Sequence, residues 1–137
     1  MAQVQAAYSA KPTPHGIMAQ MGLRNNFAGQ MAESRVADHY QQQGYTLVAT
    51  RWRGSRGEID LIAQKDGVLV FVEVKSAKTH ARALESLSPA QQNRIMLTAQ
   101  EFLATDQAAG AIDIRFDVTT VPHAGDIQVL ENALIAA

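Results

Sequence analysis

The stretch Gly57–Lys75, GEIDLIAQKDGVLVFVEVK, decides how the rest of this chain is read. Two runs rich in β-formers, Glu58–Gln64 and Val68–Lys75, are separated by Lys65, Asp66 and Gly67, and Asp-Gly between apolar runs is a strong hairpin signal. With Asp66 and Gly67 as the central residues of a tight turn, Lys65 faces Val68 and every other cross-strand pair follows. Ile62 then faces Phe71, Asp60 faces Glu73 and Glu58 faces Lys75, so one face gathers three acids and a lysine. Directly opposed side chains have Cβ atoms about 4.5–5.5 Å apart, and like charges at that spacing are destabilising. The second run is apolar on both faces, with Val68, Val70, Val72 and Val74 on one side and Leu69 and Phe71 on the other. That pattern predicts a central, covered strand, where Asp, Glu and Lys are costly unless they are used.

Three arrangements would offset the repulsion: one carboxyl stays protonated, Lys75 neutralises the pair, or a divalent cation bridges it. Oxygen-only donors suit a hard cation, so the candidate metal ligands are Asp60, Glu73 and the carbonyl of Val74, with Mg²⁺ or Mn²⁺ as the ion. Lys75 would then orient or deprotonate an attacking water, or stabilise charge developing on a phosphate. The same spacing also fits a solvated face, with a Glu58–Lys75 pair and a register slip that relieves the Asp60–Glu73 clash.

Outward from the hairpin, a first helix is expected over Leu23–Gln43, ending before Gly44, which can supply a left-handed cap. Ala28, Gly29, Ala32, Val36, Ala37 and Tyr40 fall on one arc of it, and Glu33 falls inside that arc. The Glu33 carboxylate either snorkels to water at the edge of the stripe or points to the hairpin. Tyr45–Trp52 reads as a strand. Ser88-Pro89 opens a second helix, with Ser88 as N-cap, Gln91 placed for a capping box, and an apolar stripe of Ile95, Met96, Ala99, Phe102 and Leu103. Ile112–Val121 alternates as a half-buried strand with Ile112, Ile114, Phe116 and Val118 inward, and a short strand is expected over Asp126–Leu130. Residues 1–22 read as a loose arm and 23–137 as a single domain. Ser76–Leu87 reads as a connection or a substrate lid.

Composition narrows the classes. A chain of 137 residues with 47% apolar and 18% charged residues can bury one core of its own. The absence of cysteine excludes a disulfide framework, a thiolate zinc site and a cysteine nucleophile, and is compatible with a cytoplasmic location. No run approaches the ~18 apolar residues of a membrane span. His15, His39, His80 and His123 lack metal-ligand spacing, and neither a Walker-type loop nor GxSxG occurs. The net charge of −1 offers no global positive field, but Arg51–Arg94 carries eight basic residues against five acids. Candidate nucleic-acid contacts are therefore Arg51, Arg53, Arg56, Lys78, Arg82 and Arg94, with Trp52 either stacked on a base or part of the core. The last third, from Glu101, holds six acids and only Arg115, and is expected to face solvent or an uncharged partner.

GEIDLIA (Gly57–Ala63) followed by VFVEVK (Val70–Lys75) closely resembles the bacterial YraN-like family, an endonuclease-like family related to archaeal Holliday-junction resolvases in the PD-(D/E)XK nuclease superfamily. Gly29 with Glu33 and Ala37, Gly44-Tyr45, Arg94-Ile95 with Ala99, and Arg115-Phe116-Asp117-Val118 extend the similarity over roughly Phe27–Val121. The resemblance implies an α/β fold with an αβββαβ core, a mixed central sheet flanked by helices. It implies Asp60, Glu73 and Lys75 as the catalytic set and Glu33 as a further acid from the first helix. Two departures thin the expected phosphate-binding surface: Ser76-Ala77 stands before Lys78 where the family has a basic residue, and Gln91 stands where it has a lysine.

The expected function is a Mg²⁺- or Mn²⁺-dependent nuclease acting on branched or structured nucleic acid, DNA by preference. Near-neutral charge favours a substrate read by shape, or a homodimer that pools its basic surface. The alternative is a nucleic-acid-binding or protein-interaction module that keeps the fold without turnover. A metal-free carboxylate pair acting on a sugar is a third reading, disfavoured by Lys75 beside the pair.

Overall fold

The computed structural model describes residues 17–134, with side chains from Ala28 onward. At the hairpin, Asp66 (φ 53°) and Gly67 (φ 79°) are both left-handed, as a type I′ turn requires. The turn sets the expected register between β2 (Glu58–Lys65) and β3 (Val68–Ala77), with Lys65 opposite Val68, Ile62 opposite Phe71 and Leu61 opposite Val72. β1 (Thr46–Arg53) pairs antiparallel with β2, β4 (Asp113–Pro122) pairs parallel with β3, and β5 (Gln128–Leu130) pairs antiparallel with β4. The sheet order is β1-β2-β3-β4-β5, with β3 central. A parallel neighbour needs a long crossover, here built from the short helix α2 (His80–Glu85), α3 (Pro89–Leu103) and a 3₁₀ turn, Asp106–Ala108. With α1 (Ile17–Gln42) in front, the chain has the expected αβββαβ core.

α1 starts at Ile17 and so takes in part of the segment read as a loose arm. Gly22 does not stop it, since one interior glycine costs only about 1 kcal/mol. Residues 1–16 of that arm lie outside the described residues. The far end closes as Gly44 suggests. At φ 92° it donates to Gln41 O at 3.0 Å, while Tyr45 N–H donates to Tyr40 O at 3.0 Å. This is the paired bond pattern of a Schellman cap, and the Tyr40 and Tyr45 rings meet edge to face across it at 5.1 Å.

The apolar strand residues divide between two helices. Ala32, Val36 and Tyr40 of α1 pack on Leu61, Ala63, Val70, Val72 and Val121. Ala99 and Phe102 of α3 pack on Ile59, Ile62, Leu69 and Phe71. Trp52 joins this second group, edge-on to Phe102 at 5.2 Å. Each fully buried Val, Ile or Phe contributes about 1.5–3 kcal/mol, so β3 is the strand that both layers depend on.

Three expectations need correction. Ile112 is 87% exposed and Ile114 39%, while Asp117 through Pro122 are the buried part of β4. The strand begins beside the hairpin turn, where Ile112 N–H donates to Gly67 O at 2.7 Å and its side chain laps over Gly67. Ser76–Leu87 is not an open loop: β3 continues to Ala77, Thr79 caps α2 by accepting from Arg82 N–H at 3.2 Å, and Ala83 is fully buried. The acidic last third does not simply face solvent, because Asp117 is wholly buried.

Asp117 is also fully used. Its Oδ1 accepts from Arg115 Nε at 2.8 Å and Asn132 N at 3.1 Å, and its Oδ2 accepts from Tyr40 OH at 2.7 Å and Arg115 Nη2 at 2.9 Å. Four donors saturate an ionised carboxylate. Burial and the adjacent Asp117 push the Tyr40 phenol up, and the bonds to Asp117 push the Arg115 guanidinium up. The cluster ties the end of α1 to β4 and to the segment after β5. Asp117→Ala should therefore cost about 3–5 kcal/mol, because it leaves Arg115 without its main partner, and Tyr40→Phe about 1 kcal/mol. Urea unfolding midpoints check both, and a loss for Asp117→Ala no greater than for exposed Asp106→Ala would contradict the assignment.

Candidate active site

The β2–β3 pairing stops at Leu61 and Val72. Beyond it the strands part, β2 continuing against β1 to Glu58 and β3 against β4 to Ala77. At the fork the Asp60 side chain takes over from the ladder, Oδ2 accepting from Val74 N–H at 2.8 Å. In an extended strand a residue's N–H and C=O lie on the same edge, so the Val74 carbonyl faces the same cleft. Side-chain alternation also breaks here, since Ile59 packs with Ile62 on the α3 side while Leu61 packs on the α1 side.

That break takes Glu58 away from Lys75, although its charge still reaches Asp60 and Glu33. Glu58 sits opposite Arg53 on β1, and the Arg53–Glu58 ion pair at 3.1 Å replaces the Glu58–Lys75 pair. Asp60 and Glu73 do come together. Burial, foremost, and then the charge and hydrogen bond of Glu73 hold the Asp60 carboxyl well above the usual carboxylate range. Lys75 Nζ lies 3.3 Å from Glu73 Oε2 and donates to Gln91 Oε1 at 3.0 Å. Gln91 is thus only half of a capping box: its N–H donates to Ser88 Oγ at 3.1 Å, but its side chain turns to Lys75.

Glu33 reaches the fork from α1 and does not snorkel. Arg51 Nε donates to Glu33 Oε1 at 2.9 Å, and burial, ahead of the Asp60 charge, raises the Glu33 carboxyl. Arg51 and Asp60 both fall between the Thr50–Leu61 and Trp52–Ile59 pairs of the β1–β2 ladder, and Arg51 has φ 50°, a left-handed conformation that bulky residues rarely adopt. Such strain concentrates at functional sites.

The other basic candidates surround the same end of the sheet. Arg53 is exposed at the end of β1, and Arg56 is exposed in the β1–β2 turn, where a Cβ on Gly57 would lie 3.9 Å from Arg94 Cβ of α3. Lys78 and Arg82 are exposed just past β3. The turn itself is clamped to α3, Glu101 accepting from Ser55 N–H at 2.7 Å and from the Ser55 hydroxyl, bonds that lower the Glu101 carboxyl. A Cβ on Gly54 would come within 2.1 Å of Glu101 Oε2, so a side chain there would displace the Glu101 carboxylate from the clamp.

Among the described residues no three His, Cys, Asp or Glu side chains converge as a metal cluster. The donor set is the Asp60–Glu73 pair with the adjacent Val74 carbonyl, which fits a hard cation that keeps several waters. Gln91 and Arg51 are the site residues whose partners the sequence reading missed. A polar residue at the third position of a well-capped helix, and an acid on an apolar helix arc, were the available signals.

The profile of a family described as "Uncharacterised protein family UPF0102" matches residues 32–121. A UPF0102 protein of Roseobacter denitrificans is 49% identical over 107 residues, covering 78% of this chain and 83% of that one. One from Ruegeria pomeroyi is 46% identical over 116 residues, covering 85% and 94%, and one from Dinoroseobacter shibae is 47% identical over 111 residues, covering 81% and 83%. Among the described residues no helix is long and apolar enough to cross a membrane.

The raised Asp60 carboxyl has a sign that can be measured. A folded-state value above the unfolded one favours folding at acid pH and is a growing penalty as pH rises from about 4 through the raised value. Asp60→Asn keeps an acceptor for Val74 N–H and removes the charge. In EDTA its urea midpoint should match wild type near pH 4 and exceed it increasingly toward pH 8. A gap that shrinks with rising pH would refute the like-charge pair.

Proposed function

The chain belongs to the UPF0102 family, and from that premise we propose that it is a divalent-metal-dependent nuclease of the PD-(D/E)XK type. The observation that carries this reading is the fork itself. Two carboxyls, the buried Glu73 and the half-buried Asp60, stand side by side with an anchored ammonium, Lys75, next to them. A carboxyl pair this buried is costly in a purely structural role, and the GEID and EVK motifs that supply it carry the resemblance to endonuclease-like proteins.

Asp60, Glu73 and the Val74 carbonyl would hold the cation, Mg²⁺ or Mn²⁺, which when bound neutralises the pair and polarises a phosphate oxygen. Each side chain has its own task. Gln91 and Glu73 hold the Lys75 ammonium in place, so that it orients the attacking water and offsets charge growing on the phosphate. Glu33, held by Arg51, is a further acid at the cleft that can accept a hydrogen bond from water. Arg53, Arg56, Lys78, Arg82 and Arg94 are set to contact phosphates on either side. With so sparse a basic surface, the substrate class is branched or structured nucleic acid, DNA by preference, bound in the cytoplasm by one copy or by a homodimer that pools its cations.

A labelled panel of single strand, duplex, flap, three-way and four-way junctions and structured RNA, incubated with Mg²⁺, Mn²⁺ or EDTA, tests the proposal. Cleavage is expected with either metal, none in EDTA, none for Asp60→Asn, and a loss of about 10²-fold or more for Lys75→Ala. Mn²⁺ should raise the melting temperature of wild type but not of Asp60→Asn. Junction binding without cleavage in any metal would replace the nuclease by a binding module of the same fold.

A further inference from the structure

A cavity of about 370 Å³ opens beside the fork, between α1 and the end of β3. Its helix wall is Ala28, Gly29 and Ala32, and its strand wall is Val74 and Ser76. Because β4 runs parallel to β3 and pairs Pro122 with Ala77, the next residue, His123, arrives at the same end and completes the lining. Glu33 also lines the cavity, so two residues of the candidate site, Glu33 and Val74, are shared with it.

The space is not a packing defect of the core. A Cβ on Gly29 would meet nothing within 4 Å, whereas one on Gly54 or Gly57 would touch its neighbours. The volume falls within the roughly 300–1,000 Å³ of small-ligand sites. A wall of small side chains, an imidazole, a hydroxyl and a carboxylate suits a flat, uncharged group with hydrogen-bond donors on its edge. A nucleobase has that chemistry, and a carboxylate favours bases with an exocyclic amine over thymine or uracil.

We propose that this cavity receives the base of one unpaired nucleotide adjacent to the phosphate held at Asp60 and Glu73. The inference rests on the nuclease reading for the position of that phosphate and deepens it, since a cavity for one base selects substrates with an unpaired nucleotide at the cut. His123 provides the ring on which the base stacks, and Glu33 and Ser76 meet its edge.

The test is binding, read apart from cleavage. Fluorescein-labelled DNA hairpins with a short cytosine overhang, and the same hairpins with abasic residues in the overhang, are titrated by anisotropy in Ca²⁺. Wild type should bind the cytosine form about tenfold more tightly, the scale of one base stacked on an aromatic ring. Gly29→Leu, which fills the cavity from a helix position with room for it, and His123→Ala, at an exposed turn, should each bring the ratio close to one. A ratio of one in wild type, or one unchanged by Gly29→Leu in protein whose urea midpoint matches wild type, overturns the proposal. If the ratio behaves as expected but no substrate is cut in Mg²⁺ or Mn²⁺, the cavity stands and the nuclease reading falls. If cleavage occurs and the ratio is one, the reverse holds.

Discussion

One hydrogen bond, from Val74 N–H to the Asp60 carboxylate, sits where the ladder between β2 and β3 ends. Were the ladder to continue, Asp60 and Glu73 would be an ordinary cross-strand pair on a flat sheet. Because a side chain takes the place of a backbone acceptor, the strands are held close and still part, and the gap becomes a cleft that the Val74 carbonyl faces. The break in alternation at Asp60 follows from the same event. It sends Ile59 into the α3 layer, turns Glu58 toward Arg53, and leaves Asp60 facing Glu73.

The fork is expensive, and the rest of the molecule offsets that expense. A like-charged carboxyl pair removed from water, and a left-handed Arg51, each work against folding. Against them stand two apolar layers on the central strand and a saturated buried carboxylate, Asp117, that fixes the end of α1. The second of these matters for the site. Tyr40 and Glu33 lie on the same helix, so anchoring Tyr40 to β4 sets the height at which Glu33 meets Arg51. The Glu101–Ser55 clamp does the same for the β1–β2 turn that carries Arg56.

The chemistry-bearing residues gather at one end of the sheet for a topological reason. β1 ends, β2 begins, and β3 and β4 both end there, because two antiparallel pairings are followed by a parallel one. The basic residues Arg53, Arg56, Lys78 and Arg82, the start of α3 with Gln91 and Arg94, and His123 all lie in segments that enter or leave that end. A mixed sheet thus collects short-range sequence motifs that are far apart in the chain.

What the amino-acid order determined by itself was local. Asp66-Gly67 dictates a type I′ turn, and the turn dictates the register as far as Leu61 and Val72, which brings Asp60 and Glu73 to the point where the ladder ends. Ser88-Pro89 and Gly44 mark helix ends because caps are chemistry within one turn of backbone. Tertiary structure decided everything that depends on where a ladder stops or what lies above a strand. Asp117 reads as a solvent-facing acid in an alternating strand, and only the arrival of Tyr40 and Arg115 makes it a buried acceptor. Ile112 reads as core, yet β4 begins at the sheet's rim. Gln91 reads as a capping residue, and Glu58 as the partner of Lys75, until the fork brings Lys75 to Gln91 and leaves Glu58 to Arg53. Periodicity assigns a side chain to a face, but its partner comes from segments whose distance in sequence no period records.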